Sequence, residues 1–137
     1  MSETAPKQRP QFRNVNVGQI ITYRLPPSAK LSIMHRISGA LLFLALPVLL
    51  LPILSLSLGS PESFAAVRDF VSHPLCKLIL LVLIWAYLHH FCAGIRYLAL
   101  DLGKGSDKET SQKTAVSVIV ISLLLTLVFG LKLFGVW

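Results

Sequence analysis

The sequence has little charge for its length, and acidic residues are especially few. Of its 137 residues only 14% are charged, with six Asp and Glu, whereas 54% are hydrophobic and the mean hydropathy is +0.70. A soluble domain usually carries about 25% charged residues, and a disordered chain combines low hydrophobicity with high charge. Both classes are excluded, so the composition predicts a small integral membrane protein with room for about one domain.

Motifs of common soluble catalysts are also missing. The sequence contains no zinc-ligand spacing, no glycine-rich phosphate loop and no nucleophile triad, so acid–base catalysis on a soluble substrate is not expected. The two cysteines, Cys76 and Cys92, would lie about 24 Å apart along one helix, too far for a disulfide. The net charge of +7 does not indicate nucleic acid, because the basic residues flank apolar runs.

Three long apolar runs dominate the sequence instead. Each is free of Asp, Glu, Lys and Arg, and they cover residues 37–58, 78–95 and 115–131. A hydrophobic helix of about 20 residues crosses a membrane, so we predict an all-α membrane protein with three transmembrane helices. The predicted spans are about 30–58, 75–100 and 112–135.

A polar segment rich in proline precedes the first run. We predict that residues 1–27 form an N-terminal arm, that residues 28–137 form one three-helix transmembrane anchor domain, and that Ser28 caps the first helix. Pro47 and Pro52 lie inside the first span, where a membrane helix tolerates proline with a kink.

Basic residues are distributed unevenly around the three runs. The first 36 residues contain six Lys and Arg and no apolar core of a signal peptide, so we expect the first span to remain as an uncleaved anchor. The second loop carries four basic residues between Arg96 and Lys113, whereas the first loop has Arg68 and the nearby Lys77. The positive-inside rule predicts a cytoplasmic N-terminus and second loop, with the C-terminus on the opposite side.

Histidines inside the second run are the first candidates for chemistry, because ionisable groups within a membrane are costly and usually functional. His90 lies four residues from both Ala86 and Gly94, so these small residues flank it on one helical face that a flat macrocycle can approach. Tyr97 follows on the same face, and His89 points to a less open one. Neutral imidazole is a good ligand for haem iron, and a second ligand would have to come from another chain. The alternative is that the small residues serve helix packing and His90 hydrogen-bonds across helices.

Ser32 and Arg36 form the second candidate pair, one helical turn apart at the predicted cytoplasmic end of the first span. A hydroxyl and a guanidinium on one face can bind a quinone carbonyl or a carboxylate. The alternative is that Arg36 anchors the helix to lipid phosphate. His35 either binds a carboxylate or is an exposed interfacial histidine. Asp101 is expected to pair with Arg96 or to cap local backbone.

Two motifs resemble those of a known family. The first is YRLPPSAKLSIMHRISG at residues 23–39, and the second is HHFCAGIRYLALDLG at residues 89–103. Together they resemble the cytochrome b subunit of succinate dehydrogenase, the larger membrane anchor of respiratory complex II, from about Arg9 to the C-terminus. The resemblance implies an anchor subunit of succinate:ubiquinone oxidoreductase in a bacterial inner membrane, which passes electrons from the iron–sulfur subunit to ubiquinone.

The resemblance also implies roles for individual residues. Ser32 and Arg36 match positions that help form the ubiquinone site. His90 matches an axial iron ligand of haem b, whose second ligand comes from the smaller anchor subunit. His35 and Arg36 are placed near the haem propionates, where positive charge offsets two carboxylates. The family commonly has His where Tyr97 stands here; a phenol donates a hydrogen bond to a propionate but carries no positive charge, which implies an altered haem potential.

The implied partners are the second small membrane anchor, the iron–sulfur subunit and the flavoprotein subunit, with membrane lipid and without nucleic acid. The implied cofactor is haem b, shared with a partner subunit, and ubiquinone is the substrate, while succinate binds elsewhere. Two alternatives stay open. One is a fumarate reductase anchor that works in the opposite direction, and the other is a non-redox membrane assembly or structural protein.

Overall fold

The computed structural model describes residues 16–136, so the first 15 residues of the predicted arm lie outside the described range. The described residues form helices joined by short loops, with no β-strand among them. In chain order the elements are α1 (Val17–Thr22), α2 (Pro27–Ala45), a π-helical turn (Leu46–Leu50), α3 (Leu51–Gly59), α4 (Pro61–Ser72), α5 (Pro74–Asp101) and α6 (Lys108–Leu133).

Three helical segments are long and apolar enough to cross a membrane. They are Pro27–Gly59, Pro74–Asp101 and Lys108–Leu133, with 33, 28 and 26 residues. At about 1.5 Å of rise per residue, each is longer than the roughly 30 Å of a hydrocarbon core. The prediction of an all-α protein with three transmembrane helices is therefore confirmed.

Proline interrupts the first span. Between α2 and α3 the chain widens into the π-helical turn, where the Leu51 N–H donates to the Leu46 carbonyl, five residues back. Pro47 lies inside this turn, and its ring has no N–H to donate and disturbs the usual bond four residues back. Pro52 lies in the first turn of α3. The predicted irregularity thus takes the form of one local bulge at Pro47.

The expectation that Ser28 caps the first helix is wrong. Pro26 occupies the cap position without a side-chain hydrogen bond, and Pro27 is the first helical residue. Ser28 pairs instead with Gln112 of α6, since its backbone N–H donates to Oε1 and its Oγ accepts from Nε2, both at 3.2 Å. Because two prolines already start the helix, the Ser28 side chain is available for a bond between helices.

Helix α5 packs against both α2 and α6, and α2 also contacts α6. Most of the fully buried residues at these contacts are small: Ser38, Ala86, Ala93, Ala115 and Ser122. Apolar helices gain little from burying large side chains away from lipid, so small residues that allow close backbone approach favour their association. Many large apolar side chains face outward, as with Val48 at 77% and Leu58 at 78% exposure.

The start of α2, the end of α5 and the start of α6 meet at one end of the bundle. The Ser28–Gln112 pair joins the first and third of these. A hydrogen bond from Arg96 to the Ser111 carbonyl, 3.0 Å long, joins the second and third. This arrangement brings the two sequence motifs, one on α2 and one on α5, to the same end of the molecule.

Candidate functional site

A stack of aromatic rings joins the two motifs. The His35 ring on α2 lies against the His90 ring on α5, with centroids 4.1 Å apart and planes inclined by 10°. The Tyr97 ring lies 5.1 Å from His35 at an inclination of 51°. Three of the residues singled out in the sequence therefore form one cluster, with His35 between the other two.

The hydrogen bonds of His90 define which of its nitrogens carries the proton. Its Nδ1 lies 3.1 Å from the main-chain carbonyl oxygen of His35 and 3.3 Å from Ser38 Oγ. A carbonyl oxygen only accepts, so Nδ1 is the protonated nitrogen and donates to it. The other nitrogen, Nε2, then carries a free lone pair, and it has no partner among residues 16–136. This is the arrangement in which imidazole is ready to ligate a metal.

Three polar side-chain atoms are buried without a hydrogen-bond partner in the described part of the chain. His35 Nε2 and the Tyr97 hydroxyl belong to the ring cluster, and His89 Nε2 belongs to the histidine that faces Ser122. Buried polar atoms in native proteins are nearly always paired, so an orphaned one requires an explanation. The two atoms of the ring cluster are available to a group from outside the described residues.

Glycines shape the space around His90. A Cβ added to Gly39 would lie 2.8 Å from His90 Cε1, so the missing side chain is what lets α2 reach the imidazole ring. A Cβ added to Gly94 would meet nothing within 4 Å, which leaves the surface next to His90 open. Ala86 is fully buried within the chain. Of the small residues that flank His90, Gly94 therefore leaves space that another molecule can occupy, whereas Ala86 is covered by other residues of the chain.

Ser32 and Arg36 share a face of α2, but neither side chain has a hydrogen bond or ion pair in the described residues. Arg36 is exposed and Ser32 is half-buried. Their groups are therefore free to bind a molecule or a lipid headgroup.

Arg96 does not pair with Asp101, contrary to one of the two sequence expectations. Its Nε donates to Thr114 Oγ1 at 3.0 Å, and its second guanidinium nitrogen donates to the Ser111 carbonyl at 3.0 Å and hydroxyl at 2.9 Å. Arg96 is only 8% exposed, and its guanidinium lies 5.5 Å from the Tyr97 ring centre. The sequence expectation considered only residues near the end of α5, so it could not identify partners on α6. Arg96 thus links α5 to α6 next to Tyr97.

His89 occupies a different environment from its neighbour. It is fully buried, its Nδ1 lies 3.1 Å from Ser122 Oγ on α6, and its ring stacks on Trp85 at 5.4 Å. The Ser122 hydroxyl in turn donates to the Ile119 carbonyl at 3.0 Å. The expectation that His89 is the less open of the two histidines is confirmed.

Sequence reasoning assigned no role to Ser38 and Gly39, although both stand in the first motif. Ser38 is fully buried, and its hydroxyl donates to the His35 carbonyl at 2.9 Å. Their positions three and four residues after His35 place them on the same side of α2. That spacing is the signal that points to them.

Within residues 16–136, no three His, Cys, Asp or Glu side chains come together as a metal-binding group. Haem iron does not need such a group, because the macrocycle itself supplies four nitrogens.

Comparison with known proteins provides a family context for this geometry. Residues 6–129 match the family described as "Succinate dehydrogenase/Fumarate reductase transmembrane subunit". The chain is 37% identical over 126 residues to a protein of Coxiella burnetii named succinate dehydrogenase cytochrome b556 subunit, covering 91% of this chain and 95% of the relative. It is also similar to proteins of the same name from Paracoccus denitrificans (37% identity, 75% of this chain and 78% of the relative) and Rickettsia felis (29%, 90% and 96%).

Proposed function

Because the chain belongs to the succinate dehydrogenase/fumarate reductase transmembrane subunit family, we propose that it is the cytochrome b anchor subunit of a succinate:ubiquinone oxidoreductase. In this role it docks the iron–sulfur and flavoprotein subunits at the membrane together with a second small anchor. It also shares a haem b with that anchor and forms part of the site where ubiquinone is reduced. The family description covers both directions of the reaction, and the names of the relatives favour succinate oxidation.

The observation that carries the haem proposal is the state of His90. Its Nδ1–H donates to the His35 carbonyl, and its Nε2 is left unpaired. A hydrogen bond of this kind makes the opposite nitrogen a better iron ligand and holds the ring in one orientation. When bound, haem b supplies a one-electron redox centre within the membrane. Its other protein ligand would come from the partner anchor.

The orphaned atoms of the ring cluster support the same proposal. His35 Nε2 and the Tyr97 hydroxyl are buried and lack partners in the described residues, and a haem propionate is an acceptor for both. Tyr97 contributes a neutral hydrogen bond at a position where an imidazolium would contribute charge. We therefore infer that hydrogen bonds from these two side chains hold the haem propionates. Arg36, which follows His35 in the sequence, is the cation nearest to them along the chain.

For the quinone site we infer that Ser32 and Arg36 orient the ring and stabilise negative charge as it is reduced. Their support is that both side chains are unpaired in the described part of the chain and share one face of α2. A guanidinium keeps its charge at every relevant pH and presents fixed donors to a carbonyl oxygen. Preorganised donors of this type stabilise charge that develops during a reaction.

A non-redox structural or assembly protein is the alternative from a different class. Three apolar helices with basic flanks suit that role equally well. It leaves the orphaned atoms near His90 unexplained, because packing alone favours paired or apolar groups there.

The test is a reduced-minus-oxidised visible spectrum of the complex, purified in mild detergent with its native partners. We expect a b-type spectrum in the wild type and its loss in His90→Leu, with the flavoprotein still attached. His73→Leu is the control, because His73 is exposed at the start of α5, and it should retain the spectrum.

The other outcomes separate the rival functions. A wild-type complex that contains flavoprotein but no haem would keep the anchor role and remove the ligand role of His90. A retained spectrum in His90→Leu would also reject that ligand role. The absence of both haem and flavoprotein would favour the structural or assembly protein.

A further inference from the structure

We propose that Ser38 and Gly39 are positioning residues for His90: Gly39 makes the space that the imidazole occupies, and Ser38 tunes the hydrogen bond at its Nδ1. This inference rests on the proposed role of His90 as a haem ligand. It adds two residues of α2 that would act on a bound iron through the His90 ring.

Gly39 is the closest constraint on the ring. A Cβ at this position would lie 2.8 Å from Cε1 and 3.2 Å from Nδ1 of His90. Both atoms belong to a rigid ring, which His35 covers at 4.1 Å on one face. A methyl group at residue 39 therefore pushes the ring, or α2 itself, away from the observed position.

Ser38 acts on the acceptor that His90 uses. The His35 carbonyl oxygen accepts from Ser38 Oγ at 2.9 Å and from His90 Nδ1 at 3.1 Å, so two side-chain donors share one oxygen. The single hydroxyl hydrogen of Ser38 is committed to that carbonyl, which leaves Oγ as a second, longer acceptor for Nδ1–H at 3.3 Å. Removing the hydroxyl takes away a competing side-chain donor to the carbonyl, together with the longer acceptor at 3.3 Å. Because the 3.1 Å bond to the carbonyl is the shorter of the two bonds made by Nδ1–H, we expect that bond to strengthen. A bound iron would then receive more electron density from the imidazole, which would favour its ferric state.

The chain contains a matched control for this serine. Ser122 is also fully buried, also donates to a carbonyl three residues earlier at 3.0 Å, and also contacts a histidine Nδ1 at 3.1 Å. Its partner is His89, which faces α6. Ser122→Ala therefore also removes a buried serine hydroxyl that contacts a histidine Nδ1. The histidine concerned is His89, which does not face Gly39.

A matched control exists for the glycine as well. A Cβ on Gly130 of α6 would lie 2.9 Å from a methyl carbon of Leu81 on α5, nearly the same overlap as at Gly39. The obstructing atom is there the end of a flexible side chain, nine residues before His90. Gly130→Ala thus introduces the same methyl group between two helices without touching the His90 ring.

The experiment uses the complex with its partners and measures the haem-to-flavin ratio, the haem midpoint potential and the electron paramagnetic resonance g-values of the ferric haem. For Ser38→Ala we expect full haem content, a lower midpoint potential and shifted g-values. Ser122→Ala should leave all three unchanged. For Gly39→Ala we expect a several-fold fall in haem-to-flavin ratio, and Gly130→Ala should keep the wild-type ratio.

The outcomes are distinguishable from failure of the proposed function. If His90→Leu retains haem, the proposed ligand is wrong and this inference fails with it. If His90→Leu loses haem but Ser38→Ala has an unchanged or raised potential, the positioning role of Ser38 is overturned alone. Retention of haem in Gly39→Ala equal to that in Gly130→Ala would overturn the role of Gly39. If Gly39→Ala yields no complex, the Ser38 and Ser122 pair decides the proposal.

Discussion

At the scale of residues, His35 is the centre of the site because it contributes through both its main chain and its side chain. Its carbonyl accepts from His90 and Ser38, while its ring stacks on His90 and touches Tyr97. The helical spacing on α5 already indicated that His90 and Tyr97 share a face. No spacing rule could indicate that the His35 carbonyl is the partner of His90, because that bond joins residues 55 positions apart.

The proposed quinone role of Arg36 leads to a residue-scale prediction. Arg36→Leu should lower quinone reduction by on the order of 100-fold, the effect typical of losing one preorganised donor to a developing negative charge. Succinate oxidation with an artificial acceptor should remain, because that reaction takes place in another subunit. Steady-state assays with the two acceptors on one purified complex provide the measurement.

Lys30→Leu is the control for this prediction, since Lys30 is an exposed cation on the same helix. It should leave both activities near the wild-type level. Equal loss of both activities in Arg36→Leu would indicate an assembly role, and equal loss of quinone reduction in Lys30→Leu would indicate a general effect of surface charge.

At the scale of elements, the ends of the helices determine how the site is held. Arg96 near the end of α5 is bonded to Ser111 and Thr114 near the start of α6, so the position of Tyr97 depends on where α6 begins. That start is capped by Asp107, whose carboxylate accepts from the Thr110 backbone N–H at 2.9 Å. The cap lies in the loop outside the membrane spans, where pH acts on it directly.

We expect the start of α6 to loosen in acid. The hydrogen bonds from the Thr110 backbone and side chain hold the pKa of the Asp107 carboxyl below its usual value. A carboxyl with a lowered pKa in the folded state stabilises the fold above its unfolded pKa, about 3.9, and this contribution is lost as the pH falls through the folded pKa. Hydrogen exchange of the peptide covering residues 104–112, corrected for intrinsic rates, should therefore increase between pH 5 and pH 3.

Asp107→Asn is the matched variant for this test. Asparagine is a good N-cap and does not titrate, so its corrected exchange should increase less in acid than that of the wild type. Any increase that remains reports other carboxyls, such as Glu109 in its ion pair with Lys113. If the wild type and this variant respond to acid equally, the titrating group lies elsewhere.

At the scale of the whole molecule, the chain is one subunit of a larger complex. Its outward surface is largely apolar, as expected for helices that meet lipid or other membrane subunits. Its candidate haem ligand is a single histidine, and polar atoms without a partner in the described residues lie beside it. Both features agree with the proposed second anchor subunit, which would supply further helices and the other ligand.

Orientation in the membrane is a whole-molecule prediction. The starts of α2 and α6 and the end of α5 meet at one end of the bundle, together with the basic residues of the second loop. The positive-inside rule predicts that this end is cytoplasmic. Alkaline phosphatase should therefore be inactive when fused within residues 103–107 and active when fused after residue 137. A fusion in the loop between α3 and α4 should also be active, and the reversed pattern would place the site on the outer side.

The sequence alone determined the three spans, the family and the identity of the candidate residues. Charged groups are costly in hydrocarbon, so a long apolar run without them forms a membrane helix almost regardless of the helices around it. The helical period then indicates which residues of that run share a face. Only the tertiary structure decided that Ser28 bonds to Gln112, that Arg96 turns to α6, and that Ser38 and Gly39 surround the His90 ring. The reason is that the helical period carries no information on how a helix is rotated against its neighbour, and that rotation decides which side chains meet.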